Sequence, residues 1–315
     1  MRVLILGAGG MLGHKVWEIF RDRFDCRAAM RTRLPLPLFD DARVIDGFDA
    51  TNFDAVAQLI LTERPDVVVN CIGVVKQLAA AHDPIASITL NALFPHIVAR
   101  ACAEAGARMI HISTDCVFAG TRGNYTENDL PDAADLYGRS KLLGEVTGGR
   151  ALTIRTSVIG RELRTSNGLV EWFLSNRGGS VRGFTNAIFS GVTTVMLARI
   201  LATVIDQHPD MHGLYHVAGA AISKYDLLMM LNTAMGAGVT ITPDDGFPGS
   251  AGVPPAVQHD PAKYGGRDAR VPRGIDRSLD ATRFQSATGL PPPEWPEMIA
   301  ALAAESPRYE RWRTE

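Results

Sequence analysis

The sequence predicts an α/β fold built on a doubly wound parallel sheet. Two observations lead to this prediction. Short continuous apolar runs, such as VLIL at 3–6 and VVV at 67–69, are typical of parallel strands that are covered on both faces. These runs alternate with segments of helical length, as expected of βαβ units. Right-handed crossovers between parallel strands then place helices on both faces of one sheet.

The predicted elements follow this pattern most regularly in the first half of the chain. A strand at 3–6 leads through a glycine-rich turn into a helix at 14–23. Near the end, the Pro/Gly-rich stretch 242–273 predicts either a passive connector or a substrate-facing loop, and it holds Tyr264, Arg267 and Arg270. We expect further strands at 25–30, 67–70, 108–112, 151–154 and 213–217, and further helices at 53–62, 88–105, 192–207, 224–235 and 294–304.

The composition indicates a soluble globular protein. The 315 residues are 46% apolar and 21% charged, and the formal net charge is −2, which argues against broad binding to nucleic acid or to an anionic membrane surface. No stretch approaches the roughly 20 apolar residues of a membrane span. The four cysteines form no CxxC pair and have no metal-ligand spacing, so we predict no metal site. Since no signal sequence is recognisable, a reducing cytoplasm is the expected location.

A glycine-rich turn separates the first strand from the first helix. Gly7, Gly10 and Gly13 have the spacing GxxGxxG. Glycine permits the tight turn and lets backbone N–H groups approach a pyrophosphate at the helix N-terminus. The position of the turn, directly after an N-terminal strand and before a helix, is the context that a dinucleotide site requires. The predicted cofactor contacts here are Gly7, Gly10, Met11, Leu12 and Gly13.

The end of the second strand indicates which dinucleotide binds. An acidic residue at this position selects NAD, but segment 26–33 reads CRAAMRTR and contains no carboxylate. Arg31 and Arg33 are placed to pair with a 2′-phosphate, which favours NADP. The alternatives are NAD as cofactor and a solvated basic loop without a ligand. Asp49 and Ala50, before the next helix, could meet the adenine edge.

The stretch 111–145 carries the candidate chemistry. A strand ends in the polar run STDC at 113–116, and a later helix carries Tyr137 and Lys141. Residues four apart share one face of a helix, so the phenol and the ammonium can point into one site. A nearby cation lowers the pKa of a tyrosine from its free value of about 10. Tyr137 is therefore a candidate proton donor or acceptor.

Taken together, these motifs resemble the extended short-chain dehydrogenase/reductase superfamily, and within it the dTDP-4-dehydrorhamnose reductases. That group has STDYVFxG after a strand and YGxSKxxGE on the following helix. This chain has STDCVFAG at 113–120 and YGRSKLLGE at 137–145. Later segments are also similar, with RTS at 155–157, GLYHVAG at 213–219 and SLD at 278–280. The resemblance spans nearly the whole chain, strongly to about residue 160 and loosely afterwards.

The resemblance implies a Rossmann-type domain and a smaller, mixed α/β C-terminal substrate domain. Residues 1–160 and about 185–220 would form the NAD(P)-binding domain. Residues of about 161–184 and 221–315 would form the substrate-binding domain. The resemblance also implies a nucleotide-sugar substrate, and it favours a homodimer because members of the group often form dimers.

The resemblance also implies residue roles by matching position. Tyr137 would protonate the keto oxygen while the nicotinamide delivers hydride, and Thr114 would hydrogen-bond the same oxygen. Lys141 would hold the nicotinamide ribose. Negative charge develops on the carbonyl oxygen, where fixed donors stabilise it most, and the cofactor supplies the hydride. The small residues after strand 67–70 would lie against the cofactor, so further predicted contacts are Cys71, Ile72, Gly73, Asn91, Tyr137 and Lys141.

Substrate contacts are predicted at scattered positions along the chain. Lys76 and Gln77 are unusual in their loop and could reach the substrate, or they could lie in solvent. Arg182 is a candidate diphosphate contact. Asn186 falls where related enzymes bind the nucleotide and the sugar, although core packing is an equal alternative for its segment. The predicted substrate contacts are Lys76, Thr114, Asp115, Arg182 and Asn186.

Cys116 stands where the reductases usually have tyrosine. In GDP-fucose synthase, an epimerase-reductase of the same superfamily, a cysteine two positions after the catalytic hydroxyl serves as acid or base. Cys116 lies two positions after Thr114 and is a fourth candidate catalytic residue. A thiol can exchange a proton beside a ketone if its surroundings assist. The histidine that accompanies it in that family is missing, since this chain has none between His111 and His208, and a packing role is the alternative.

The sequence therefore predicts an NADP(H)-dependent reductase of a 4-keto-6-deoxy sugar nucleotide. One alternative is a combined epimerase-reductase that uses Cys116 as acid and base. A second alternative is a non-catalytic, cofactor-binding regulatory subunit that retains the fold. The intact pair of Tyr137 and Lys141 argues against the second, because a pure binding role would not require it.

Overall fold

The protein is described by a computed structural model that covers residues 1–75, 83–246 and 274–314. Its strands, in chain order, are β1 (Arg2–Leu6), β2 (Asp25–Ala29), β3 (Val44–Ile45), β4 (Val67–Asn70), β5 (Arg108–Thr114), β6 (Leu152–Thr156), β7 (Val158–Ile159), β8 (Ser180–Phe184), β9 (Ala187–Phe189), β10 (Val192–Thr193), β11 (Gly213–His216), β12 (Ile222–Ser223), β13 (Thr240–Asp244) and β14 (Ile275–Asp276).

The helices lie between these strands in the order that βαβ units require. They are α1 (Gly13–Phe20), α2 (Phe53–Glu63), α3 (Pro84–Ser87), α4 (Phe94–Ala105), α5 (Leu136–Leu143), α6 (Leu169–Leu174), α7 (Thr194–Gln207), α8 (Lys224–Met235), α9 (Thr282–Thr288), α10 (Trp295–Ala304) and α11 (Ser306–Thr314).

The centre of the molecule is a parallel seven-stranded sheet with the order β11-β6-β5-β4-β1-β2-β3. Helices α1 and α7 pack on one face and α2 and α4 on the other. Successive side chains of β1 divide between the two cores: Val3 and Ile5 join one, while Leu4 and Leu6 join the other. The apolar run of the first strand thus reflects burial on both faces, and the predicted doubly wound α/β fold is confirmed.

The carboxyl edge of this sheet gathers polar side chains from neighbouring strands. Leu6 lies beside Asn70, and Asn70 lies beside His111. Strand β5 continues past His111 to Thr114. The chain leaves β1 for β2 on one side, and β4 pairs with β1 on the other, so the strand order reverses here. Doubly wound folds bind their ligands at such a reversal.

The second half adds smaller sheets and a further layer of helices. Strands β12, β9 and β14 form one sheet, β8 pairs with β13, and β7 pairs with β10. Helix α8 packs against α10 and against β8. Strand β11 pairs with β6, so residues 213–216 belong to the main sheet. The exact division into a cofactor domain and a substrate domain remains a proposal.

Several short elements, among them α6 and α9, were not predicted, and three longer ones also differ from the sequence prediction. The predicted helix 88–105 is part of a longer run in which a π-helical turn, Ile88–Leu93, joins α3 to α4. The predicted helix 192–207 begins at Thr194, after the short strand β10. A terminal helix, α11, was not predicted, because its charged sequence buries only Tyr309 and Trp312 among its large apolar side chains.

Among the described residues, one helical run, Pro84–Ala105, is long and apolar enough to span a membrane by length and composition. The sequence had predicted no such stretch, because its expected helix began four residues later. In the structure, 44% of its apolar window is buried inside the fold. Since core helices pass the same test, the run is weak evidence for a membrane span.

Candidate active site

The glycine-rich turn is packed so tightly that side chains are excluded from it. Gly7 has a φ of +87°, and a Cβ there would lie 2.7 Å from the Ile72 side chain. A Cβ on Gly13 would overlap the carbonyl oxygen of Gly7. The Gly10 N–H closes the turn by donating to the same oxygen at 3.0 Å. Sterics therefore require glycine at positions 7 and 13, and the small residues leave an open backbone surface in front of α1.

The two arginines after β2 differ in their surroundings. The guanidinium of Arg33 donates to the carbonyl oxygens of Val44, at 2.5 Å, and Phe39, at 3.4 Å. Arg31 is exposed and lies within electrostatic reach of Asp49. Hydrogen bonds from the backbone and side chain of Thr51 hold the pKa of Asp49 below its usual range. Arg31 is thus the better placed of the two for a 2′-phosphate. Ala50 follows in the same loop.

The loop after β4 lies between the glycine-rich turn on one side and the side chains of Asn91 and Lys141 on the other. The Asn91 side chain pins this loop by accepting from the Val74 N–H, at 2.8 Å, and donating to its carbonyl, at 3.0 Å. A Cβ on Gly73 would lie 3.1 Å from Asn91 Oδ1 and 3.7 Å from Lys141 Nζ. Burial raises the pKa of the Cys71 thiol to about 12, which suits a packing role. The structure thus brings Cys71, Ile72, Gly73, Asn91 and Lys141 together, as predicted from the sequence.

The hydroxyl of Thr114 lies at the centre of the candidate site. It donates to Asp115 Oδ1 at 3.0 Å and accepts from the Cys116 N–H at 3.1 Å. It also lies near enough to the hydroxyl of Tyr137 to lower the pKa of that phenol. Cys116 is half-buried and close enough to interact electrostatically with that phenol. The four predicted residues Thr114, Asp115, Cys116 and Tyr137 therefore form one cluster.

The sequence analysis expected the cation of Lys141 to lower the pKa of Tyr137, but the structure gives the opposite direction. Burial raises the pKa of Tyr137 above its ordinary value. Burial also lowers the pKa of Lys141 to about 8, although Glu145 opposes the shift, and its ammonium donates to the Ile112 carbonyl at 2.8 Å. Desolvation of the phenolate is the largest of the effects on the pKa of Tyr137. Tyr137 thus holds its proton at neutral pH, which suits a proton donor.

The remaining motif residues of α5 support the cluster structurally. Glu145 accepts from Ser113 at 2.7 Å and forms a buried, bidentate ion pair with Arg155 at 2.7–2.8 Å. The side chain of Asp135 caps the helix by accepting from the Gly138 N–H at 2.9 Å. The YGRSKLLGE motif therefore combines two chemical groups with the residues that fix their helix against β5 and β6.

Two cations that the sequence analysis did not single out lie near the cluster. Lys224 Nζ lies 4.0 Å from the centroid of the Phe189 ring and interacts with Asp115 and Cys116. Arg277 donates to the Phe118 carbonyl at 2.8 Å and also interacts with Asp115. They follow β12 and β14, which flank β9. No local sequence motif identifies Lys224 and Arg277, because a three-stranded sheet made of segments distant in the chain brings them together.

Burial has the largest effect on the pKa values of Lys224 and Asp115. It raises the pKa of Asp115, while Arg277 and Lys224 act in the opposite direction. It lowers the pKa of Lys224 to about 8. Two cations therefore face one buried carboxylate, and this local excess of positive charge suits an anionic substrate group.

Other predicted substrate residues lie elsewhere or outside the description. Arg182 forms an ion pair with Asp244 at 2.9 Å, and Asn186 donates to the Asp245 carbonyl at 2.5 Å. These contacts tie both residues to the β8–β13 sheet and its end. Lys76 and Gln77, and likewise Tyr264, Arg267 and Arg270, are outside the described residues.

The residues of this cluster and of the glycine-rich turn fall within the span of one known protein family. A family model described as the RmlD substrate binding domain matches residues 1–307. The chain belongs to the RmlD substrate binding domain family. Membership in the RmlD family confirms the resemblance to extended dehydrogenase/reductases that the motifs indicated.

Relatives and solved structures extend the comparison. The RmlD-family chain is 35% identical over 144 residues to methionine adenosyltransferase 2 subunit beta of Rattus norvegicus, a match that covers 46% of this chain and 41% of that protein. It is 25% identical over 317 residues to the dTDP-4-dehydrorhamnose reductase of Aggregatibacter actinomycetemcomitans, covering 96% and 98%. The crystal structure of dTDP-4-dehydrorhamnose reductase from Bacillus anthracis, in complex with NADP, superposes with a TM-score of 0.75 at 23% identity, covering 96% and 99%.

Proposed function

We propose that this protein reduces the keto group of a 4-keto-6-deoxy sugar nucleotide, with NADPH as the hydride donor. The observation that carries the proposal is the grouping of the Thr114 and Tyr137 hydroxyls with the buried Lys141. A reductase of dTDP-4-dehydrorhamnose with similarity along nearly the whole chain supports the choice of substrate class.

The described residues fit a dinucleotide. The glycine-rich turn has no room for a Cβ at Gly7 or Gly13, which leaves backbone N–H groups open to a pyrophosphate. Lys141 and Gly73 lie side by side next to Asn91, where a ribose could be held. Arg31 would pair with a 2′-phosphate. When bound, the nicotinamide supplies the hydride.

The chain's own groups would then handle the carbonyl oxygen. Tyr137 would donate a hydrogen bond to it, and Thr114 would do the same once its O–H turns from Asp115, so both would stabilise the negative charge that develops there. Tyr137 would transfer its proton to this oxygen as the carbon gains hydride, so the ketone becomes an alcohol. The raised pKa of Tyr137 keeps that proton available at neutral pH. Lys224 and Arg277 would face the substrate's diphosphate.

The test is NADPH oxidation by the purified protein with dTDP-4-keto-6-deoxy sugars. Tyr137→Phe should lower kcat by roughly 10²–10⁴-fold, because general acid catalysis contributes about that factor. Its NADPH affinity should stay within about twofold of wild type, since the pyrophosphate and ribose contacts are intact. Full turnover by Tyr137→Phe, or no turnover by wild type on any keto-sugar nucleotide, would contradict the proposal.

An epimerase-reductase is a second candidate, favoured by the position of Cys116. The residue interacts electrostatically with both Tyr137 and Lys224, so a proton could pass between a substrate carbon and the thiol within reach of a lysine. Incubation in D₂O would place deuterium on the carbon beside the ketone, and Cys116→Ser would suppress this exchange. A wild-type enzyme that exchanges no such proton would exclude this candidate.

A regulatory subunit is a third candidate. It is favoured by the 35% identity to a protein named as the beta subunit of methionine adenosyltransferase 2. Under this hypothesis the chain would bind NADP or NADPH without turnover and would associate with a catalytic partner. Turnover of a keto-sugar nucleotide that Tyr137→Phe abolishes would rule out a purely regulatory role.

A further inference from the structure

Helix α11 is linked to the glycine-rich turn by a chain of hydrogen bonds. The hydroxyl of Tyr309 lies 2.5 Å from Nε2 of His14, and Nδ1 of the same imidazole lies 2.8 Å from the Gly10 carbonyl oxygen. Tyr309 and His14 are both fully buried. The chain therefore joins the last described helix to the turn through the protein interior.

The directions of these bonds follow from the chemistry of the groups. A carbonyl oxygen only accepts, so Nδ1 of His14 carries the proton that reaches Gly10. Burial lowers the pKa of His14 to about 4, so the ring is neutral near pH 7 and its Nε2 is an acceptor. Tyr309, whose pKa is raised by burial, then donates its O–H to Nε2. Both hydrogen bonds are thus satisfied in one tautomer.

The anchored carbonyl determines the orientation of the next N–H group. The Gly10 carbonyl accepts from both the backbone N–H of His14, at 3.1 Å, and its imidazole. In a planar trans peptide the C=O and the following N–H point in opposite directions, and no peptide bond in the described residues is cis. Holding Gly10 O towards His14 therefore turns the N–H of Met11 away from the helix, to the side where a pyrophosphate would lie.

Two buried cations lie against the ring of Tyr309. Lys15, which is 1% exposed, lies 5.3 Å from the Tyr309 ring centroid and pairs with Glu18 at 2.5 Å and Glu305 at 2.8 Å. Arg161 lies over the same ring at 5.1 Å. Each buried charge carries a desolvation cost. Apolar side chains could pack against this ring without that cost, so the charges around Tyr309 suggest a role beyond packing.

We propose that His14 and Tyr309 are positioning residues for the cofactor: together they hold the Gly10–Met11 peptide so that its N–H binds the dinucleotide pyrophosphate. This inference rests on the proposed cofactor role of the glycine-rich turn. It makes α11 part of the cofactor site, although the helix contributes no group that touches the ligand.

The test measures the Kd for NADPH directly, without the sugar, by fluorescence titration of the full-length protein. Tyr309→Phe removes only the hydroxyl and keeps the ring between its cations, and it should raise the Kd roughly fivefold, as expected for the loss of one hydrogen bond. His14→Ala should raise it further. His14→Gln, whose amide can both donate and accept, should recover much of the affinity.

The matched control is Glu310→Gln on the same helix. It removes the exposed ion pair with Arg177, which also docks α11 but is not one of the two hydrogen bonds that join Tyr309 to Gly10, so its Kd should equal that of wild type. Wild-type Kd in Tyr309→Phe, or an equal loss in Glu310→Gln, would overturn the inference. A wild-type protein that binds neither NADPH nor NADH would overturn it together with the cofactor assignment. Binding without turnover would count only against the proposed reaction.

Discussion

Gly138 packs directly against the backbone of Cys116. A Cβ on Gly138 would overlap the Cys116 carbonyl oxygen and lie 2.5 Å from the Ala133 side chain. The residue follows Tyr137 on α5, so this contact sets the distance between the phenol and the end of β5. The glycine of the Tyr-Gly-x-Ser-Lys motif is therefore required by packing, and the helix carries its catalytic candidates at a spacing that any larger residue would change.

We expect Gly138→Ala to lower kcat by at least about tenfold, because α5 must move and a shift of about 1 Å in a catalytic group is that costly. Gly148→Ala is the matched control, since a Cβ on Gly148 meets nothing within 4 Å. Steady-state kinetics and thermal unfolding of both variants would check this. Wild-type kcat in Gly138→Ala would show that the contact does not position Tyr137.

Substitution of the two arginines after β2 should have different effects, with Arg31 affecting cofactor preference and Arg33 affecting thermal stability. Arg31→Ala should reduce the ratio of kcat/KM for NADPH to that for NADH by about tenfold, the size expected for one charged hydrogen bond. Arg33→Ala should change this ratio less and lower the Tm more, because its guanidinium already bonds to two backbone carbonyls. An unchanged ratio in Arg31→Ala would remove that residue from the 2′-phosphate site.

Lys224 should act on the sugar nucleotide and not on NADPH. Lys224→Met should raise the KM for the sugar nucleotide about tenfold while kcat changes by less than about threefold, since a charged contact to a diphosphate contributes roughly that much. Arg283→Met is the control, because it removes a cation from the Tyr215 ring instead. Equal KM values in Lys224→Met and wild type would exclude the diphosphate contact.

Buried histidines should make the protein less stable in mild acid. Burial lowers the pKa of His216 from its usual 6.5 to about 4. Between these pH values His216 is protonated in the unfolded chain and neutral in the folded chain. The contribution of neutral His216 to the free energy of unfolding is fully present above pH 6.5. It is lost as the pH falls towards 4, by about 1.4 kcal/mol per pH unit at most. His14 behaves in the same way.

Urea unfolding of wild type and His216→Gln at several pH values between 7 and 4 would measure this loss. Glutamine can replace both hydrogen bonds of the ring, to Tyr125 and Arg155, without a titrating proton. The variant's free energy of unfolding should therefore fall less steeply with decreasing pH. Identical slopes in the two proteins would show that His216 is not the group responsible.

The elements with local signals were predicted well. Strand β4 and helix α8 have the predicted bounds, because burial on both faces and amphipathic spacing are visible within a few residues. Elements whose conformation depends on residues distant in the chain were not predicted well. The π-helical turn at Ile88–Leu93 has no local marker, and it places Asn91 where its amide reaches Val74 and Ser140.

The sequence by itself determined the doubly wound sheet, the glycine-rich turn and the grouping of Thr114, Tyr137 and Lys141. The sheet, the turn and the shared helix face of Tyr137 and Lys141 follow from local sterics and periodicity, whereas the role of Thr114 beside them follows from the family resemblance. Only the tertiary structure decided that burial raises the pKa of Tyr137. It also decided which cations face Asp115, and that Tyr309 reaches His14, 295 residues away. Contacts at such separation depend on how whole layers pack, and no local pattern encodes them.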